Sequence, residues 1–305
     1  MDRSRNEEAV LTRRLGLVSI AFLAALATVP VPAHAQSAVS TKPAASARRS
    51  ELARLALRLR SADVAGQKQA VDQLCRLGRA SEPVRVLDAF VREGQSDELT
   101  DHVLDALGRI GRVEAIPVLS LFAQHRRTAA RRRAYAALGR IRQGRVRQGR
   151  ARYGGVVPLL LQGLRDSDPG VRTAAALALA ERDASGHVGT LFVALERGVF
   201  AASKAIGRLG DAASVERFTR YTGRIPLRAV LAGYEQYLAR SDLDDQAKLS
   251  IVAALRELAT PTARTFLQSQ LSRLPRVGHP RLKAAMGSAI RRIRKTPLRT
   301  GVKPP

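Results

Sequence analysis

"VVPLLLQGLRDSDPGVRTAAALALA", residues 156–180, sets two apolar runs on either side of a polar break, and the break decides how both are read. Asp168-Pro169 fits a helix start. The Asp carboxylate can accept from the free amides of a first turn, and Pro supplies a helical φ without needing an amide partner. Beyond it, Val171, Ala175, Ala178 and Leu179 recur at spacings that place them on one helix face. The alanines let a neighbouring helix approach closely. The stretch therefore predicts helix, short turn, helix.

The same phrase returns along the chain. "ALGRI" occurs at 106–110 and 137–141, "AIGRL" at 205–209, "LCRLG" at 74–78 and "AIRRI" at 289–293. The basic residue of the phrase, Arg172, is matched by Arg131, Lys248 and Lys283, whereas Thr100 departs from it. "HPRLK" at 279–283 puts His279, a weaker cap, in the place of Asp168. About seven helix pairs are expected, starting near 51, 84, 114, 155, 187, 224 and 261. The pattern is poorest over 187–222, where a turn is shortened.

Asp168, Pro169, Val171, Arg172, Ala175, Ala176, Ala178 and Leu179 resemble the HEAT repeat, in the short HEAT-like form first associated with phycobilisome lyases. The resemblance extends over nearly all of 51–295. It implies an all-α fold, an armadillo-like α-α superhelix in which each helix pair packs only on its neighbours and the stack buries a continuous core. It does not carry over a lyase site, because the repeat alone is shared and fold does not fix function.

Composition agrees. The chain has 305 residues, no Trp, and only 7 Phe and 5 Tyr, so its 45% hydrophobic content rests on Ala and Leu, which favour helices over strands. The formal net charge is +26, with Arg supplying 45 of the 52 basic residues. Such charge raises association with nucleic acid, anionic lipid and acidic polysaccharide. Codon bias also yields Ala- and Arg-rich chains, but it explains less well why acids are missing from particular stretches.

The start of the chain reads as an address. Arg13-Arg14 precede an apolar run from Leu15 to Val29, then Pro30, Pro32 and "AHA" at 33–35. A basic start, a short apolar stretch and small residues at −3 and −1 make a secretory signal peptide over 1–35, cleaved after Ala35. A membrane anchor is the competing reading, but a spanning helix needs about 20 apolar residues. Export to the periplasm or cell envelope is thus expected, with no transmembrane segment after cleavage. Residues 36–50, small and polar, read as a flexible linker. Residues 296–305 read as a disordered basic tail.

Catalytic and metal signatures are lacking. The five histidines, His34, His102, His125, His187 and His279, have no i, i+4 pairing, and Cys75 stands alone, which excludes an intramolecular disulfide. Cys75 reads as a small core residue. "SDLDD" at 241–245 lacks the glycine and the later Glu of a calcium loop and reads as a helix N-cap. No catalytic residue, cofactor or metal is expected.

The basic stretches are the remaining signal. No acid lies between Glu114 and Asp166, and none follows Glu257. "IRQGRVRQGRARYGG" at 141–155 is nearly a doubled five-residue phrase, and its glycines make 142–154 a loop inserted between helix pairs. Arg131, Arg132 and Arg133 stand at a helix start, where the dipole disfavours cations unless an anion sits there. Candidate anion-binding residues are therefore Arg126, Arg127, Arg131, Arg132, Arg133, Arg142, Arg145, Arg147, Arg150 and Arg152. The function expected is an exported, non-enzymatic scaffold that binds a protein or an anionic envelope component. The alternative is nucleic-acid binding through the Arg-rich 126–152 region, with affinity falling steeply with salt.

Overall fold

The computed structural model describes residues 42–61, 63–78, 80–142, 155–182 and 184–295. Contacts divide the chain into Met1–Ala45 and Ser46–Pro305. Of the first unit, Lys42–Ala45 are described, and they are helical. The expected signal peptide, the loop residues 143–154 and the tail 296–305 lie outside the described residues.

Every described element is helical. In chain order they are α1 (Lys42–Leu59), α2 (Val64–Arg76), α3 (Glu82–Arg92), α4 (Asp97–Ile110) and α5 (Ile116–Ala123). Then come α6 (Thr128–Arg140), α7 (Val156–Gly163), α8 (Pro169–Ala180), α9 (Val188–Glu196) and α10 (Ala202–Leu209). The last five are α11 (Ala212–Thr219), α12 (Leu227–Ala239), α13 (Asp245–Leu258), α14 (Pro261–Arg273) and α15 (Pro280–Lys295).

Local chemistry sets these boundaries. Asp63, Ser96, Asp168, Asp211, Asp244 and Thr260 each accept from an amide of the first turn that follows. Gly111 ends α4 in the left-handed region, at φ 67°, and its amide closes on the Leu107 carbonyl.

Of the linker expected over 36–50, residues 42–50 are helical as the start of α1, and residues 36–41 lie outside the described residues. Ala44, Ala45, Ala47 and the arginines are good helix formers, and the helix is anchored further on by buried Leu55 and Leu59. Apolar periodicity starts only near Leu52, so the first turns carry no core-facing signal.

The even-numbered helices α2, α4, α6, α8, α10 and α12 stack side by side, while the odd-numbered helices α3, α5, α7 and α9 cover one flank. The recurring Ala-Leu-Gly phrase sits where stacked helices touch. A Cβ on Gly108 would lie 2.9 Å from the Ala137 Cα, and one on Gly139 would lie 2.9 Å from the Ala178 Cα. Gly207 of α10 meets the Gly233 carbonyl of α12 in the same way. Small residues thus trade side-chain volume for close backbone approach, and the buried side of α8 is mostly alanine.

The stack changes hand-off over 202–258. Gly210 and the cap Asp211 break the chain after Leu209, so α11 forms where a single pair was expected to run through. α10 packs along α12, α11 packs along α13, and α13 and α14 both pack on α15. The chain's few large rings gather there. Phe218 meets Tyr234 edge-on at 5.5 Å and Tyr237 at 6.0 Å, filling the gap left by the irregular step.

Candidate anion-binding interface

The helix pairs give the stack two edges. One carries the turns inside pairs, where the second helices begin; the other carries the turns between pairs, where they end. α6 has 13 residues, so its two ends stand roughly 20 Å apart at 1.5 Å per residue. The candidate arginines are therefore not one site. Arg126, Arg127, Arg131, Arg132 and Arg133 lie at the start of α6, and Arg142 lies beyond its end. Arg145, Arg147, Arg150 and Arg152 fall outside the described residues.

At the starting edge, neighbouring repeats supply the anions. Arg127 reaches Asp101 at 2.6 Å and Asp97 at 3.1 Å. Arg133 reaches Asp101 at 3.1 Å and also pairs with Asp105. Arg131 forks onto Asp166, Nε to Oδ2 at 2.9 Å and Nη2 to Oδ1 at 3.0 Å. Its Nη1 donates to the carbonyls of His125 and Arg126, both at 3.1 Å. Burial pushes the Asp166 carboxyl upward, but Arg131 and the Asp168 amide outweigh it and hold the group below its ordinary value.

Arg127, Arg131 and Arg133, expected to call for an external anion, thus have carboxylates supplied from within the chain, by α4 and the turn before α8. Sequence reading missed this because the partners lie 26 to 35 residues away. Arg126 and Arg132 are exposed and form no ion pair among the described residues.

The ending edge is different. The amide of Arg142 donates to the Gly111 carbonyl at 2.6 Å, tying the end of α6 to the end of α4. Beside it opens a cleft of about 660 Å³, bordered by Arg76, Arg109, Arg112 and Arg142. Arg109 donates to Asp72 at 2.7 Å, and Arg112 forks onto Glu114 at 3.0 and 2.7 Å. The side chains of Arg76 and Arg142 form no ion pair among the described residues.

Cations are favoured here, at the carbonyl ends of α2, α4 and α6. Arginines elsewhere on this edge serve the fold: Arg48 donates to the Leu77 carbonyl at 2.8 Å and Arg182 to Leu138 at 2.6 Å. Sequence reading also missed Arg76, Arg109 and Arg112. Their signal was present, an arginine next to Leu or Gly where α2, α4, α6 and α10 end, but its copies are spread along the chain rather than clustered.

Other polar groups are engaged among themselves. Cys75 borders the cleft half-buried rather than in the core, and burial raises its thiol despite nearby Arg109, which keeps it a poor nucleophile. His102 sits 3.2 Å from Asp72, His279 sits 2.6 Å from Asp245, and His125 accepts from the Arg127 amide at 3.1 Å. In the 241–245 stretch, Asp242 pairs with Arg240, Asp244 caps α13 and Asp245 holds His279. Among the described residues, no group of three or more His, Cys, Asp or Glu could hold a metal ion, and no helix is long and apolar enough to cross a membrane.

Residues 128–181, from α6 through α8, match the HEAT-like repeat family. The chain thus carries a HEAT-like repeat, in an all-helical repeat fold. No curated protein matches the chain. Among solved structures, it is similar to the complex of CpcE and CpcF of phycocyanin lyase from Nostoc sp., with 17% identity over 82% of this chain and 100% of that one, at a TM-score of 0.44. Human deoxyhypusine hydroxylase in complex with glycerol is similar at 17% identity over 82% and 98%, TM-score 0.38. A designed armadillo repeat protein is similar at 17% over 79% and 99%, TM-score 0.33. These are likenesses of fold alone.

Proposed function

We propose that this chain is an exported, non-enzymatic HEAT-like scaffold that captures an acidic macromolecule, a protein or an anionic envelope component, along the edge where α2, α4 and α6 end. One observation carries the reading: Arg76 and Arg142, with no carboxylate partner among the described residues, flank the same cleft as Arg109 and Arg112. Guanidinium groups without a carboxylate partner at the border of a cleft suit carboxylate or phosphate oxygens, which they bind in a fork. The opposite edge is a weaker candidate, because Arg127, Arg131 and Arg133 already hold carboxylates. Repeat solenoids use extended faces for partners, which supports binding over chemistry.

Capture from cell envelopes at two salt concentrations tests this. The mature chain beginning at Gln36 is expected to retain an acidic partner at low salt and release it at high salt. Retention unchanged by salt, or unchanged in R76Q/R142Q, overturns the edge assignment. Finding the intact chain, residues 1–35 included, in the cytosolic fraction overturns export. Selective retention of duplex or single-stranded nucleic acid, with a steep salt slope, favours the nucleic-acid alternative.

A further inference from the structure

A second feature lies far along the chain and owes nothing to that edge. Lys248, in the first turn of α13, is only 3% exposed. Its ammonium group carries three donors, yet among the described residues it makes one hydrogen bond, to the Arg240 carbonyl, and no ion pair. A buried cation so sparsely bonded is costly, and the nearby Asp242 carboxylate acts on it only at a distance, being paired with Arg240. The equivalent residues behave in two ways. Arg172 in α8 and Lys283 in α15, both less buried than Lys248, donate only to carbonyls of the preceding turn among the described residues, whereas at Arg131 in α6 the next pair's turn also brings Asp166 onto the guanidinium in a fork. The turn that follows α14, "LPRVGH" at 274–279, has no acid to offer, nor has any residue after Glu257.

In place of that carboxylate is a cavity of about 500 Å³ between α12, α13, α14 and α15. Lys248 lines it together with Gln270, which is 7% exposed and whose side chain makes no hydrogen bond among the described residues. The cavity's other charged groups are engaged: Arg273 pairs with Glu235, Arg240 with Asp242 and His279 with Asp245. Leu238, Leu274 and Met286 supply an apolar wall. A volume of this size, mostly apolar with a few convergent polar groups, is the usual form of a small-ligand site.

We infer that this cavity binds a small monocarboxylate with a short apolar body. Its carboxylate takes the place at Lys248 that Asp166 takes at Arg131, Gln270 donates an amide N–H to the second oxygen, and the apolar body lies against Leu238, Leu274 and Met286. A carboxylate fits better than a larger polyanion, because Lys248 is the one cation lining the cavity with no close ion pair among the described residues.

Met286 makes the test specific, since Met1 is the chain's only other methionine. The full chain labelled with ¹³C-methyl methionine is titrated with hexanoate and, separately, with uncharged hexanamide. Hexanoate is expected to move the Met286 methyl resonance saturably, with hexanamide at least about tenfold weaker. Lys248→Leu should weaken hexanoate by about tenfold or more, and Gln270→Leu, which keeps the charge, by several-fold. Equal response to the two probes in the unaltered chain, no response to either, or undiminished hexanoate binding in a folded Lys248→Leu overturns the inference. The unaltered chain decides between acid and amide even where a variant fails to fold. None of these outcomes depends on the α2–α6 edge.

Discussion

Gly139 of α6 lies against Ala178 of α8 so closely that a Cβ added to the glycine would sit 2.6 Å from the alanine Cβ and 2.9 Å from its Cα. Part of the obstacle is backbone, so no rotamer change relieves it. Ala is the better helix former by about 1 kcal/mol, but overpacking costs about 1–3 kcal/mol, and here it should win. Gly139→Ala is expected to lower unfolding stability by about 1–2 kcal/mol in urea titrations. Gly189→Ala in α9, where nothing lies within 4 Å, should instead be neutral or stabilising by about 0.5 kcal/mol. Equal effects at both positions would show that the Ala-Leu-Gly phrase is not the contact between stacked helices.

That phrase is also why the fold was legible. Glycine and alanine at fixed places in successive second helices announce close stacking, and Asp168-Pro169 announces the turn, so a helical repeat followed from residues that do those jobs. The step at 202–258 was harder to read. Its helices are as short as 8 residues, and α11 is separated from α10 by little more than Gly210 and a cap. The site was legible only in part. Charge density along the sequence pointed to Arg131 and Arg133, whose carboxylates are distant in sequence but adjacent in space. It overlooked Arg76 and Arg109, which belong to one cleft only after repeats stack.

Acid should weaken the protein through its carboxylates. The pKa values of Asp72, Glu114, Asp166, Glu196, Asp211 and Asp242 are all held below their ordinary values, Asp242 at about 2. For Asp72 burial acts upward, and Arg109 and His102 outweigh it. A depressed folded value means stability that is present above the unfolded value, about 4, and is lost as pH falls through the folded ones. Melting temperature is therefore expected to hold near neutrality and drop below about pH 4. Asp166→Asn, which strips the fork from an Arg131 side chain only 15% exposed, should cost about 2 kcal/mol at neutral pH and flatten the acid limb. An unchanged acid limb would remove Asp166 from that account.

Tyr234 and Tyr237 differ by one partner. Both are fully buried in α12, but the Tyr234 hydroxyl lies 2.5 Å from the Thr222 hydroxyl, whereas among the described residues no group bonds that of Tyr237. Burial pushes the Tyr234 phenol up to about 12 and raises Tyr237 further. Tyr234→Phe leaves Thr222 short of a partner and should cost about 1 kcal/mol. Tyr237→Phe removes an unsatisfied group and should be neutral or stabilising by about 1 kcal/mol. Denaturant midpoints compare the two directly, and a larger loss at Tyr237 would mean its hydroxyl serves the fold.

The roughly 20 Å length of α6 permits an edge-specific test of partner capture. R126Q/R132Q and R76Q/R142Q each remove two positive charges, so they lower net charge equally. If only the long-range field of a +26 chain attracts the partner, both variants should weaken capture alike. If the cleft beside Arg109 and Arg112 makes the contact, R76Q/R142Q should lose about tenfold at low salt while R126Q/R132Q loses little. None of the four side chains forms an ion pair among the described residues, so melting temperature should stay level in both variants. Affinity measured at several salt concentrations separates the cases, because a lost local contact also shallows the salt dependence. A larger loss in R126Q/R132Q would move the interface to the edge where the second helices begin.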